Sequence, residues 1–228
     1  MPKRYGIKDR DVAAAWVIER LFDGRLRSGD RLDRQQIADE VGISRVPVQE
    51  MLAQLERDGI VRSEYHRAAY LERFDPETVA ETYQLFGLIT GQASAEAARA
   101  MKPDLASTLE ELVGRLDVAT KDEFNEITWE FRREVNRAAS GPRMRAMLLT
   151  FRTFMPTAYR LLLDTPDHRA TILAHYRTEC KALVKGDDAA ARRAAESRCA
   201  DESEMLIDDL IRRGVFEAPR DVHTADHA

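Results

Sequence analysis

Cysteine is nearly absent from this chain. Cys180 and Cys199 are the only two in 228 residues, and they lack CxxC spacing. A disulfide framework is excluded, and the spacing gives no metal or redox motif; small buried side chains on helices are the expectation for both. Glycine (11) and proline (8) make up 8% of the chain, below the usual ~12%, which excludes collagen-like sequence. No apolar run approaches the ~20 residues that span a bilayer. The opening MPKRYGIKDRD is charged and has no apolar signal-peptide core, so a cytoplasmic protein without membrane association is expected. Nor is there a phosphate loop, an HExxH, a GxSxG or a motif-bearing His/Asp/Ser or Cys/His cluster. His66, His168, His175, His223 and His227 are scattered. No enzyme is expected.

What is present favours helices. Alanine numbers 31, and Leu, Arg and Glu are abundant. The net charge of −5 argues weakly against a nucleic-acid binder. It is unevenly spread, however: residues 1–73 carry 14 basic and 13 acidic side chains, residues 74–228 carry 21 and 27. Any DNA footprint must be local. Arg outnumbers Lys 29 to 6, and Arg suits bidentate contacts to phosphates, bases or carboxylates.

Residues 8–22 read as a helix closed by Gly24, and Leu26–Leu32 as a turn. A helix over about 34–41 carries Ile37, Ala38 and Val41 and stops at Gly42. Another starts at Ser44, an N-cap residue, with Pro47 tolerated in its first turn. Val48, Met51, Leu52 and Leu55 then repeat at i, i+3, i+4, i+7, one buried face. Ile60–Leu71 reads as a β-hairpin with a basic tip. After Asp75-Pro76 nearly everything reads as helix, over 76–101, 103–120, 122–139, 142–163, 167–185 and 187–213. Residues 215–228 read as a polar tail.

The helices around Val41-Gly42-Ile43 form a helix-turn-helix pattern, and the hairpin makes it winged. With the Val48 face buried, Arg45, Val46 and Gln49 are exposed at the start of the second helix, the end that enters the major groove in such motifs. Arg can take guanine O6 and N7, Gln adenine N6 and N7, and Val a thymine methyl. An ordinary amphipathic helix with solvated polar ends would show the same periodicity.

Ile18–Leu32, the run from Gln36 through Val61, and above all Ile43-Ser44-Arg45-Val46-Pro47-Val48-Gln49-Glu50 resemble the DNA-binding domain of the GntR superfamily of bacterial transcription regulators. The resemblance places Arg45 on a base-contacting position. It implies a DNA-facing set of Arg34, Gln35, Ser44, Arg45, Val46, Pro47, Gln49, His66 and Arg67. Val46 stands where Thr is usual, Gln49 where Arg is usual, and Ala68 where the wing tip usually has Gly. These departures bear on the operator sequence.

Residues 76–213 resemble the all-helical FCD-type ligand domain of the FadR-like branch, through Phe131-x3-Val135-x3-Ala139-Ser140-Gly141-Pro142 and Lys185-Gly186-Asp187-x-x-Ala190-Ala191. Such domains often hold a divalent metal with an Asp and three His. The matching positions here are Thr128, Arg132, Tyr176 and Arg198, poor zinc ligands, so neither metal nor other cofactor is expected. Helical spacing puts Tyr176 in a stripe with Leu173, Cys180 and Leu183, and Arg198 on an Ala-rich inner face. Two readings stand. Arg132 and Arg198 pair with internal carboxylates such as Glu130, Glu134 or Glu202, or they clamp an organic acid in place of the metal. Gly87 and Gly91, i and i+4 on one helix, suit close helix packing, at a dimer interface for instance, or room for a bulky ligand.

The fold class expected is mainly α: a winged helix-turn-helix (1–74), an FCD-like bundle of about six helices for effector binding and dimerisation (75–214), and a flexible tail (215–228). The function expected is a metabolite-responsive repressor that binds an inverted-repeat operator as a homodimer, with a small carboxylate effector at Thr128, Arg132, Tyr176 and Arg198. The alternatives are a ligand-independent regulator whose bundle only dimerises, and an enzyme built on a helical bundle.

Overall fold

A computed structural model describes residues 8–64, 68–139 and 141–216. The chain divides between Thr78 and Val79 and again between Ile207 and Asp208, so the end of the last helix belongs with the N-terminal unit.

In the first unit, α1 (Asp9–Phe22), α2 (Arg34–Val41) and α3 (Arg45–Arg57) pack together. Val17 and Leu21 of α1 meet Ile37 of α2 and the Val48, Met51, Leu52 and Leu55 face of α3 in one core. Apolar residues at helical spacing can all reach one neighbour, and burial of each such side chain stabilises by about 1.5–3 kcal/mol. The hairpin is β2 (Val61–Glu64) with β3 (Ala68–Leu71), in register Val61↔Leu71 and Glu64↔Ala68. A short strand missing from the sequence reading, β1 (Arg31–Leu32), pairs antiparallel with β3, giving the order β1-β3-β2. Its two residues are too few to show an alternation. Val215 is buried and the Phe216 ring packs at a tilt against Phe74, with centroids 5.4 Å apart, so these two residues are packed where a tail was expected.

The second unit is built from α4 (Pro76–Arg99, in the unit from Val79), α5 (Pro103–Leu116), α6 (Lys121–Ala139), α7 (Pro142–Thr150), α8 (Met155–Leu162), α9 (Pro166–Val184) and α10 (Asp188–Arg212, in the unit to Ile207). Two expected spans differ. The helix expected to reach 120 ends at Leu116, because Thr120 and Glu123 form the capping box that starts α6: Thr120 N donates to Glu123 Oε2 at 2.9 Å. The helix expected over 142–163 breaks after Thr150. Pro156 has no N–H to continue the ladder and its ring clashes with a carbonyl one turn back, so α8 starts afresh with Pro in its first turn.

Gly87 and Gly91 pack against α10 of the same chain. A Cβ at Gly91 would lie 2.9 Å from Glu196 Cγ, and one at Gly87 would lie 3.2 Å from Cys199 Cβ. Close helix packing therefore explains both, within one chain. Cys180 and Cys199 are buried free cysteines, and burial pushes the Cys199 thiol up to about 11, which makes it inert at neutral pH.

Candidate nucleic-acid interface and effector cavity

Local chemistry fixes the helix-turn-helix. Asp33 caps α2, its carboxylate accepting from the amides of Gln35 (2.8 Å) and Gln36 (2.9 Å). These bonds hold its pKa below the usual carboxylate value. Gly42 ends α2 at φ 75° and its amide returns to Ala38 O at 2.9 Å; a side chain there would be strained. Ser44 occupies the N-cap of α3, but its side chain makes no capping bond. Pro47 is half-buried at the start of the helix.

Where α2 and α3 begin, an open concavity of about 450 Å³ gathers Arg34, Gln35, Arg45, Val46 and Gln49 of the expected set. Ser44 and Pro47 are outside its lining, and His66 and Arg67 lie outside the described residues. Arg31 of β1 also lines it. The sequence reading missed Arg31, because nothing in a two-residue strand marks which way it faces. Val46 is 67% exposed, a large apolar side chain held in water. Arg45 Nε donates to Gln35 Oε1, and Gln35 Nε2 donates to Asp39 Oδ1 at 2.7 Å. With Arg31, Arg34 and Arg45 against Asp33, the lining carries a net positive charge beside the N-terminus of α3, an arrangement suited to phosphate and base edges.

In the helical unit, Thr128, Arg132, Tyr176 and Arg198 are all at most 5% exposed and line one cavity of about 20 Å³. Phe86, Trp129, Met155, Tyr159 and Glu202 complete its wall. Arg198 Nη1 donates to Glu202 Oε1 at 2.7 Å, one turn along the same helix, as one reading anticipated. Arg132 pairs instead with Glu179 of α9 through Nη2, and Ser94 Oγ donates to the same Glu179 oxygen at 2.6 Å. Glu130 and Glu134 stand two residues either side of Arg132 and so point away from it on a helix. They pair with Arg115 and Arg137. Glu179 was missed in sequence, although it lies one turn after Tyr176 on its face. Ile172, not Leu173, is the buried residue at the start of that stripe.

Burial pushes the Glu202 carboxyl above its usual range, against the opposing pull of Arg198. Burial also raises the Tyr176 phenol. Arg198 packs over the Tyr176 ring at 5.2 Å. Several buried polar atoms have no hydrogen-bond partner among the described residues: Arg198 Nε and Nη2, Arg132 Nε, Glu179 Oε2 and Tyr83 OH, with Arg198 Nε and Glu179 Oε2 forming a loose ion pair at 3.9 Å. A cavity of this size holds about one water. The residues do not fit the metal of related domains. Two of the four positions are guanidiniums already engaged by carboxylates, and among the described residues no group of three or more His, Cys, Asp or Glu could hold a metal ion. His175, near one of those positions, instead meets Asp201 at 2.7 Å.

No helix among the described residues is long and apolar enough to cross a membrane. The family model of bacterial regulatory proteins, gntR family, matches residues 10–71, and the FCD domain model matches residues 81–200. The chain is 39% identical over 220 residues to the HTH-type transcriptional regulator Rv0043c of Mycobacterium tuberculosis, covering 96% of this chain and 89% of the relative. It is 24% identical over 185 residues to the HTH-type transcriptional regulator YdhC of Bacillus subtilis, covering 75% and 79%. The fold is that of McbR/YncC of E. coli, with TM-score 0.62, 19% identity and coverage of 91% and 99%. These relatives are transcription regulators rather than enzymes. The chain belongs to the gntR family of bacterial regulatory proteins, as a DNA-binding transcriptional regulator whose helical unit is an FCD domain.

Proposed function

We propose that this regulator is a cytoplasmic repressor that binds an inverted-repeat operator as a homodimer and is controlled by a small organic acid in its helical unit. The observation that carries the DNA half is the concavity at the start of α3, where Arg34, Gln35, Arg45, Val46 and Gln49 converge with net positive charge. Ser44, Pro47, His66 and Arg67 complete the proposed footprint by resemblance. A twofold operator calls for a twofold protein. Leu85 and Leu88, 48% and 53% exposed one turn apart on α4, supply apolar surface for a second copy. Selection from randomised duplexes tests this half: an enriched sequence with twofold symmetry is expected, and no enrichment rejects it.

The effector half rests on the convergence of Thr128, Arg132, Tyr176 and Arg198 on one cavity with unpartnered donors. An organic acid there would displace Glu179 or Glu202 from its guanidinium. The alternative, a ligand-independent regulator whose helical domain only dimerises, draws support from the same ion pairs and from a cavity of only about 20 Å³. A thermal-shift screen of organic acids with and without EDTA separates them. A ligand at a hundred times its Kd stabilises by ~2.7 kcal/mol, and no shift with any acid favours the alternative.

A further inference from the structure

A much larger space adjoins that cavity. Between α6 and α7 lies an open groove of about 790 Å³, within the range of small-molecule sites. It shares Phe86, Trp129, Arg132 and Met155 with the wall of the inner cavity. Its charge is one-sided. Arg132, Arg133, Arg137, Arg145 and Arg152 line it, and no Asp or Glu does. Glu179 engages Arg132 and Glu134 engages Arg137. Among the described residues, Arg133 and Arg145 have no carboxylate partner. The remaining wall is apolar, with Trp129, Leu148, Phe151 and Met155 prominent.

Two further observations point to an occupant. Arg132 is 5% exposed, yet its Nε has no hydrogen-bond partner, and Asn136 Oδ1, one turn along α6, is likewise buried and unpartnered. Both residues line the groove, and a buried donor such as Arg132 Nε is costly unless a polar acceptor meets it. In addition, α7 buries none of its residues, and its Leu149 is 58% exposed. An apolar body in the groove would give α7 the contacts it lacks.

We infer that the α6–α7 groove binds an amphipathic organic anion, its charged end on Arg132 and the rim arginines and its apolar body along Trp129, Leu148 and Met155. This rests on the reading of the helical unit as an effector receptor. It gives that receptor a ligand class that the inner cavity is too small to admit.

The test is calorimetric titration of the full chain with decanoate and 2-naphthoate, and with succinate and citrate as anions without an apolar body. Three proteins are compared: wild type, Arg133→Glu/Arg145→Glu and Arg133→Lys/Arg145→Lys. Decanoate or naphthoate should bind wild type. The Glu pair should weaken binding by about tenfold or more, as expected on reversing charge-assisted contacts, and the Lys pair much less. Hydrogen exchange should slow in 142–150 when the anion binds. If succinate or citrate binds and the Glu pair does not change it, the effector reading stands and the groove inference falls. If none of the four binds, both fall for these ligand classes. If the amphipathic anions bind equally to all three proteins, the groove is not their site. If the Glu pair sediments as a monomer where wild type is a dimer, and no anion binds, the groove is a contact between two copies.

Discussion

Arg132 of α6 and Glu179 of α9 form an ion pair across 47 positions of sequence, with side chains 6% and 0% exposed, and Ser94 of α4 bonds the same carboxylate. Three helices are thereby tied at one polar point inside an apolar bundle. Removing either residue leaves the other short of its partner, although Arg198 Nε also stands 3.9 Å from the second Glu179 oxygen.

Arg132→Ala and Glu179→Ala should each destabilise the helical unit by about 3–5 kcal/mol, the cost of stranding a buried charge. Arg132→Met with Glu179→Leu should recover much of that loss. Urea denaturation of the single and double variants measures it, and single losses under about 1 kcal/mol would mean the pair is solvated.

At the DNA interface, Arg45→Ala should weaken specific binding by about 1–3 kcal/mol, the value of a bidentate base contact. Gln49→Arg should move preference from adenine toward guanine at one position per half-site. Selected sequences identical to those of wild type for both variants would remove α3 from the reading role.

Gln35 is placed to orient Arg45, because its amide joins Arg45 to Asp39. Gln35→Ala should lower discrimination at the base that Arg45 reads more than it lowers affinity for non-specific duplex. Equal losses on both would assign Gln35 to phosphate contact instead.

Two copies neutralising about six phosphates should lose roughly 10³-fold in affinity between 50 and 200 mM salt. A slope near zero in a fluorescence-anisotropy salt series contradicts the proposed footprint.

Acid should loosen the start of α4. Asp75 Oδ1 accepts from Thr78 N at 2.9 Å, Asp75 N donates to Thr78 Oγ1 at 2.9 Å, and Arg73 pairs with the Asp75 carboxylate. Burial pushes this carboxyl up, but the bonds from Thr78 and Arg73 outweigh it and hold it below its ordinary value of 3.8. A carboxyl with a depressed folded pKa stabilises above its unfolded value, and the contribution fades as pH falls through the folded one. Asp75→Ala should therefore cost ~1 kcal/mol near neutral pH, shrinking once pH drops below 3.8. Paired denaturation curves across that range check the sign.

Local patterns carried the helix-turn-helix. The i, i+3, i+4, i+7 spacing of Val48, Met51, Leu52 and Leu55 admits only one buried face, and Gly42 supplies the left-handed turn before it, so the exposed side with Arg45, Val46 and Gln49 follows from one helix alone. The inward direction of Tyr176 and Arg198 was legible for the same reason. Pairing was not, because Glu179 reaches Arg132 through the docking of α9 on α6, and spacing within one helix is silent about its neighbours. The size of the inner cavity, the groove beside α7, the third strand at Arg31–Leu32 and the place of Val215 likewise depend on segments meeting from distant sequence. Periodicity determines which way a side chain points, and only tertiary packing decides what it finds there.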